Sequence, residues 1–158
     1  MKKRILTILM LGIMATSLMP LQASFATVIS TRTLWAGQTI NVGTLTVEVI
    51  GTDLVVTFET TGGWYLTETH LYVGTSKPVK SAPGQFPYKH DNLGGVTSDS
   101  YTIPLADIGT GWRVFAAHAV VENQCECLEE TAWGNGCEKI RPGKNWAMYF
   151  WNYIPPPT

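Results

Sequence analysis

The chain predicts an all-β fold, an antiparallel two-sheet β-sandwich of Ig-like or jelly-roll-like type with about seven to eight strands. Three observations predict it. Apolar and β-branched residues recur at period two, no helical periodicity lasts the roughly 11 residues that mark an amphipathic helix, and glycine-containing turns separate the runs at strand-length intervals.

The elements follow in order. "TVISTRTLW" (27–35) reads as a first strand. In "TLTVEVI" (44–50), Leu45, Val47 and Val49 alternate with Thr46 and Glu48, the pattern of a half-buried strand. Gly51-Thr52 turns the chain into "DLVVTFET" (53–60), with glycine where a tight hairpin needs positive φ. After Thr61-Gly62-Gly63 comes "WYLTETHLYVG" (64–74), and the three successive strands predict an antiparallel meander. "YTIPL" (101–105), "GWRVFAAHAVVE" (111–122) and "NWAMYFWNY" (145–153) complete the set. The last two are apolar on both faces, which places them in sheet centres, with Ala116, Ala117 and Ala119 leaving room for aromatics opposite.

Two segments do not read as strands. Residues 75–95, "TSKPVKSAPGQFPYKHDNLGG", form a long proline-stiffened loop holding Phe86, Tyr88 and His90. Residues 123–137, "NQCECLEETAWGNGC", hold all three cysteines in a glycine-punctuated stretch. Function is expected to sit on these loops.

The N-terminus bounds the compartment. Lys2, Lys3 and Arg4, an apolar run to Leu18 and the small residues ending at Ala26 have the layout of a secretory signal peptide, giving a leader over 1–26 and one domain over 27–158. A secreted, extracellular protein with no membrane span after cleavage is expected. The leader takes three of the eleven basic residues and none of the twelve acidic ones, so eight face twelve in the remainder, a net of −4. Such a chain offers no electrostatic footprint for nucleic acid.

Outside the cytoplasm cysteines tend to pair. Cys127 with Cys137, or Cys125 with Cys137, would strap the second loop, and the odd thiol left over could link a homo-oligomer. On an extended strand Trp64, Leu66, Glu68, His70 and Tyr72 share one face. Glu68 and His70 could then meet His118 across the sheet and bind a divalent metal; the alternative is that each histidine is a hydrogen-bonded, half-buried residue among aromatics. No other cofactor is implied. No nucleophile elbow, zinc-protease helix, phosphate loop or haem motif occurs, so the chain is expected not to be an enzyme.

Six tryptophans are many for one small core. Trp112, after "GTG" at a strand start, and Trp133, in the cysteine segment, are the expected exposed pair. With Phe86 and Tyr88 they would supply a ligand-binding surface, since an aromatic face stacks well on sugar rings; the alternative is that they cap the core.

The ordered set "WYLTETHLYVG", "PGQFPYKH", "YTIPL", "AAHAVV", "ETAWG" and "GKNWAMYFWNY" resembles a domain of secreted bacterial and archaeal proteins, over about 44–153. The resemblance implies an extracellular β-sandwich module and brings no reaction, ligand or catalytic residue with it.

These readings predict a secreted, non-enzymatic recognition or adhesion module whose partner is an extracellular glycan or a surface protein. One alternative is a structural subunit of an extracellular assembly, joined by strand pairing or by the odd cysteine. The other is a divalent-metal-binding β-sandwich using Glu68, His70 and His118.

Overall fold

The computed structural model describes residues 25–157, so all but the end of the predicted leader lies outside the described residues. The described chain is all-β. Its strands are β1 (Ala26–Ala36), β2 (Ile40–Ile50), β3 (Asp53–Thr60), β4 (Trp64–Gly74), β5 (Tyr88–His90), β6 (Ser98–Pro104), β7 (Gly111–Asn123), β8 (Leu128–Gly134), β9 (Glu138–Lys139) and β10 (Met148–Ile154). One helical turn, α1 (Leu105–Ile108), joins β6 to β7.

Pairing is antiparallel throughout and runs in the order β5-β4-β7-β8-β1-β2-β3-β6. Two further contacts bring the ends of this path together. Leu66 of β4 and Val96, just ahead of β6, exchange both backbone hydrogen bonds, and the Tyr101 hydroxyl of β6 donates to the Thr69 carbonyl of β4. The result is a nearly closed, barrel-like sheet, and the expected division into two packed sheets does not show in the pairing. Register irregularities at Val28/Ser30, Leu34/Trp35 and Leu66/Glu68 supply curvature, since a bulge bends and twists its strand.

The hairpin predicted at Gly51-Thr52 is present, with Ile50 opposite Asp53 and Gly51 at φ 61°. The meander differs from the expected one. Strand β3 pairs with β2 and β6, not with β4. Gly62 and Gly63, at φ 66° and 82°, instead swing the chain across the barrel end, so that Trp64 pairs with Asn123 of β7. The true meander is β1-β2-β3.

Strand β7 organises the rest. Residues 114–123 pair with β4 on one side, while on the other β10 takes residues 111–115 and β8 takes 118–123. Phe115, Ala117, Ala119 and Val121 point into the barrel core with Leu45, Phe58, Leu71 and Phe150. On the outward face Val114 and Ala116 join a second buried cluster with Phe86, Trp133, Ile140, Ala147 and Tyr149. The first predicted loop and the segment between β8 and β10 build that cluster's roof, and residues 145–147, expected as the start of the last strand, belong to that segment because β10 begins only at Met148. Residues 75–87 bring Phe86 over Tyr72 and Trp133, and 135–147 bring Ile140 and Trp146.

The cysteine segment is not the expected free loop, because strand β8 runs through its middle. Glu129 and Glu130 face Glu122 and Val121 of β7 in an ordinary ladder. Only 124–127 is turn, tightened by the Cys125 amide donating to Asn123 Oδ1.

Candidate functional site

The outward faces of β4, β7, β8 and β1 meet in one row. His70 stands opposite His118, His118 opposite Trp133, and Trp133 opposite Trp35. The expected alignment of Trp64 and Leu66 with His70 is corrected here. The irregularity between Leu66 and Glu68 shifts the phase of β4, so Trp64 and Leu66 lie in the core while Glu68, His70 and Tyr72 turn outward.

His70 and His118 do converge. Their Nδ1 atoms are 3.2 Å apart and both side chains are buried, with His118 also edge-on to Trp133 at 4.9 Å between ring centroids. Burial, with a smaller contribution from the neighbouring His70, pushes the His118 pKa down to about 3. The His70 pKa is lowered chiefly by burial, against the raising effect of Glu68 and Asp91.

Those two carboxylates lie on the far side of the His70 ring, with Nε2 3.4 Å from Asp91 Oδ1 and 3.9 Å from Glu68 Oε2. Glu68, His70 and Asp91 each offer a ligand atom within 4.8 Å of the others; His118 stands behind His70, on its Nδ1 side. Asp91 was not legible as a partner because it lies in the loop after β5, 21 positions from His70 by sequence. Only the pairing of Thr69 with His90 reveals the proximity. Beside this group an open cleft of about 490 Å³ is lined by Thr67, Glu68, Glu122, Gln124 and Glu129, among others.

The predicted ligand-binding aromatics separate into two groups. Trp133 and Phe86, expected at the surface, are 4% and 5% exposed in the second cluster, packed edge-on at 6.2 Å. Both lie outside the barrel, but the roof segments cover them, and the strand pattern does not show that roof. Tyr88 is half-buried against Tyr101. Trp112 is 62% exposed, as expected. Across the β7–β10 ladder it faces Tyr153, edge-on at 5.8 Å, and Trp151 sits on the same outward face opposite Val114. Tyr153 and Trp151 are exposed as well, and period two in "YFWNY" marks both as sharing a face.

No protein-family model, no curated protein and no solved structure matches the chain.

The cysteines are not brought together. Cys125 and Cys127 lie in the β7–β8 turn and Cys137 lies beyond the opposite end of β8, all three as exposed thiols. Seven residues of strand span about 20 Å, several times the Cα separation that a disulfide tolerates, and this strand stands between Cys137 and both Cys125 and Cys127, the residues of the expected strap. Among the described residues no helix is long and apolar enough to cross a membrane.

Proposed function

We propose that this chain is a secreted, non-enzymatic recognition module of the cell exterior that stacks carbohydrate rings on the face formed by Trp112, Trp151 and Tyr153. The observation that carries the reading is the grouping of three exposed aromatic rings on two hydrogen-bonded strands of a sheet. Large aromatics spend apolar area on solvent only at a cost, and a contiguous patch of them marks a contact surface. Indole and phenol rings offer a flat apolar face to sugar C–H groups, with an N–H or O–H at the edge for the hydroxyls. Rigidity supports the reading too, since both strands are pinned beneath by stacked Phe115 and Phe150, 5.5 Å apart and 7° from parallel. A platform fixed before binding loses little side-chain entropy on contact.

The leader-like N-terminus, the net negative charge and the absence of enzyme motifs in the sequence all accord with an exported binding module. The strand-donation alternative has less support, because β1 is already paired along its length with its own β2.

A glycan array followed by tryptophan fluorescence titration tests the proposal. Saturable binding that Trp112→Ala and Tyr153→Ala each weaken about tenfold or more is expected. Binding indifferent to both substitutions, or none across soluble and polymeric glycans, overturns it.

A further inference from the structure

Away from the Trp112 face, at the margin of β4 and β5, one imidazole nitrogen and two carboxylates converge. We infer that Glu68 Oε2, His70 Nε2 and Asp91 Oδ1 form a binding site for one borderline divalent cation, zinc foremost, with His118 as the positioning residue behind His70.

A pair of exposed carboxylates would not by itself make a site. What distinguishes this one is the imidazole between them. The His70 side chain is only 5% exposed, yet its Nε2 aims at both acids from 3.4 and 3.9 Å, beyond the length of a good hydrogen bond. A tetrahedral ion with bonds of about 2.0–2.1 Å holds its ligand atoms about 3.4 Å apart. The Nε2–Asp91 spacing already matches that, and Glu68, 44% exposed, has the freedom to close the remaining half ångström.

Each ligand is held by structure that the ion need not create. His70 is locked into the β4–β7 ladder opposite His118. Asp91 is tethered on one side by His90, whose Nδ1 lies 3.0 Å from Asp99 and whose ring stacks on Tyr101, and on the other by the Leu93 amide donating to the Thr67 carbonyl. The turn between these tethers places Asn92 at φ 61°, a conformation that asparagine tolerates better than most residues.

His118 supplies the tautomer logic. Two neutral imidazoles meeting Nδ1 to Nδ1 share one proton, so one ring donates and the other accepts. When His70 donates, its proton sits on Nδ1 and a bare lone pair on Nε2 faces two carboxylates. That arrangement is repulsive until a cation stands between them, and it is the form a metal requires. His118 thus plays the part that a carboxylate or carbonyl plays behind other ligating histidines. Glu68 also lines the open cleft, so the coordination position left over faces that space.

The test is isothermal titration of chelator-stripped protein with zinc chloride. Exposed thiols bind zinc themselves, so the titration uses the chain carrying Cys125→Ser, Cys127→Ser and Cys137→Ser. One equivalent is expected to bind, more tightly than calcium, because calcium favours an all-oxygen site. Asp91→Asn and Glu68→Gln, both at partly or fully exposed positions that leave the fold intact, should each weaken zinc about tenfold or more. His118→Phe should cost about 10- to 100-fold. His118→Gln, which keeps an acceptor for the His70 Nδ1–H, should recover most of that loss at matched thermal stability. Cobalt substituted for zinc should give tetrahedral d–d absorption that His70→Gln removes. Substoichiometric zinc, a preference for calcium, or affinity unmoved by Asp91→Asn would overturn the site.

Discussion

Strand β7 turns the same face outward along its whole length, yet the two aromatic groups on that face have opposite surroundings. At its start Trp112 meets Tyr153 in solvent; in its middle His118 meets Trp133 under a roof of Phe86 and Trp146. The strand pattern is identical in both places. What differs is which loop lands there, and so exposure on this sheet is decided by chain segments remote in sequence.

The sharpest way to break the comparison is to truncate one indole from each half. Trp133→Ala empties a buried site and should cost about 3–5 kcal/mol in urea unfolding, with the roof segments losing protection from hydrogen exchange. Trp112→Ala removes a ring that is already mostly in water and should change stability by no more than about 0.5 kcal/mol. Equal costs would mean that the two halves are not differently covered.

Acid offers the next largest effect. The folded-state pKa of His118 is about 3, below the ordinary value of 6.5, so between those pH values the unfolded chain binds the proton that the folded chain refuses. Stability is therefore full above about pH 6.5 and falls as pH drops toward 3. The slope for one proton is at most about 1.4 kcal/mol per pH unit. His70, whose pKa is also lowered, adds in the same direction. In His118→Phe the slope over that window should flatten, while Trp112→Ala should leave it untouched. A profile unchanged by His118→Phe would show that the imidazole pair is not what the roof shields.

Most of the long strands were legible because their signals are local, whereas the closing of the sheet into a barrel was not. Leu45, Val47 and Val49 mark a buried face by alternation, and Gly51 marks its hairpin by the φ only glycine adopts freely; both are read within ten residues of chain. The site was legible only in fragments. Glu68, His70 and His118 stood out as residue types, but the irregularity that turns Glu68 and His70 away from Leu66 leaves no mark in the alternation. Asp91 reaches His70 through the pairing of a three-residue strand too short to announce itself. Strand β8 was hidden for a different reason. Cysteines flank "LEETAWG" on both sides, with Gly136 after it, and these flanks mask the strand between them.

The roof itself gives a third test, of intermediate size. At Gly136 a Cβ would overlap the Tyr149 carbonyl, so the 135–147 segment can lie against β10 only with glycine there. Gly136→Ala should cost about 1–3 kcal/mol by forcing that backbone apart. It should raise the solvent exposure of Trp133 and Trp146, seen as a red shift in emission, and leave Trp112 and Tyr153 unaffected. A shift confined to the Trp112 face would reverse the assignment of which half the segment covers.

The smallest effect concerns the thiols, and it separates two accounts of how the roof is held down. A disulfide closing the 127–137 loop would stabilise by about 2–4 kcal/mol, and Cys137→Ser would forfeit all of it. In the observed arrangement β8 stands between the two cysteines, so the segment is held instead by contacts such as the Ile140 amide to the Ala147 carbonyl and the Tyr149 hydroxyl to Glu138. Cys137→Ser should then shift stability by no more than about 0.5 kcal/mol. All three thiols should react with a small disulfide reagent in the folded, reduced protein at near-equal rates, since each is exposed. A loss of several kcal/mol on Cys137→Ser, with Cys127 unreactive, would require β8 to fold back instead of running extended beside β7, and the row joining His118 to Trp133 would be lost with it.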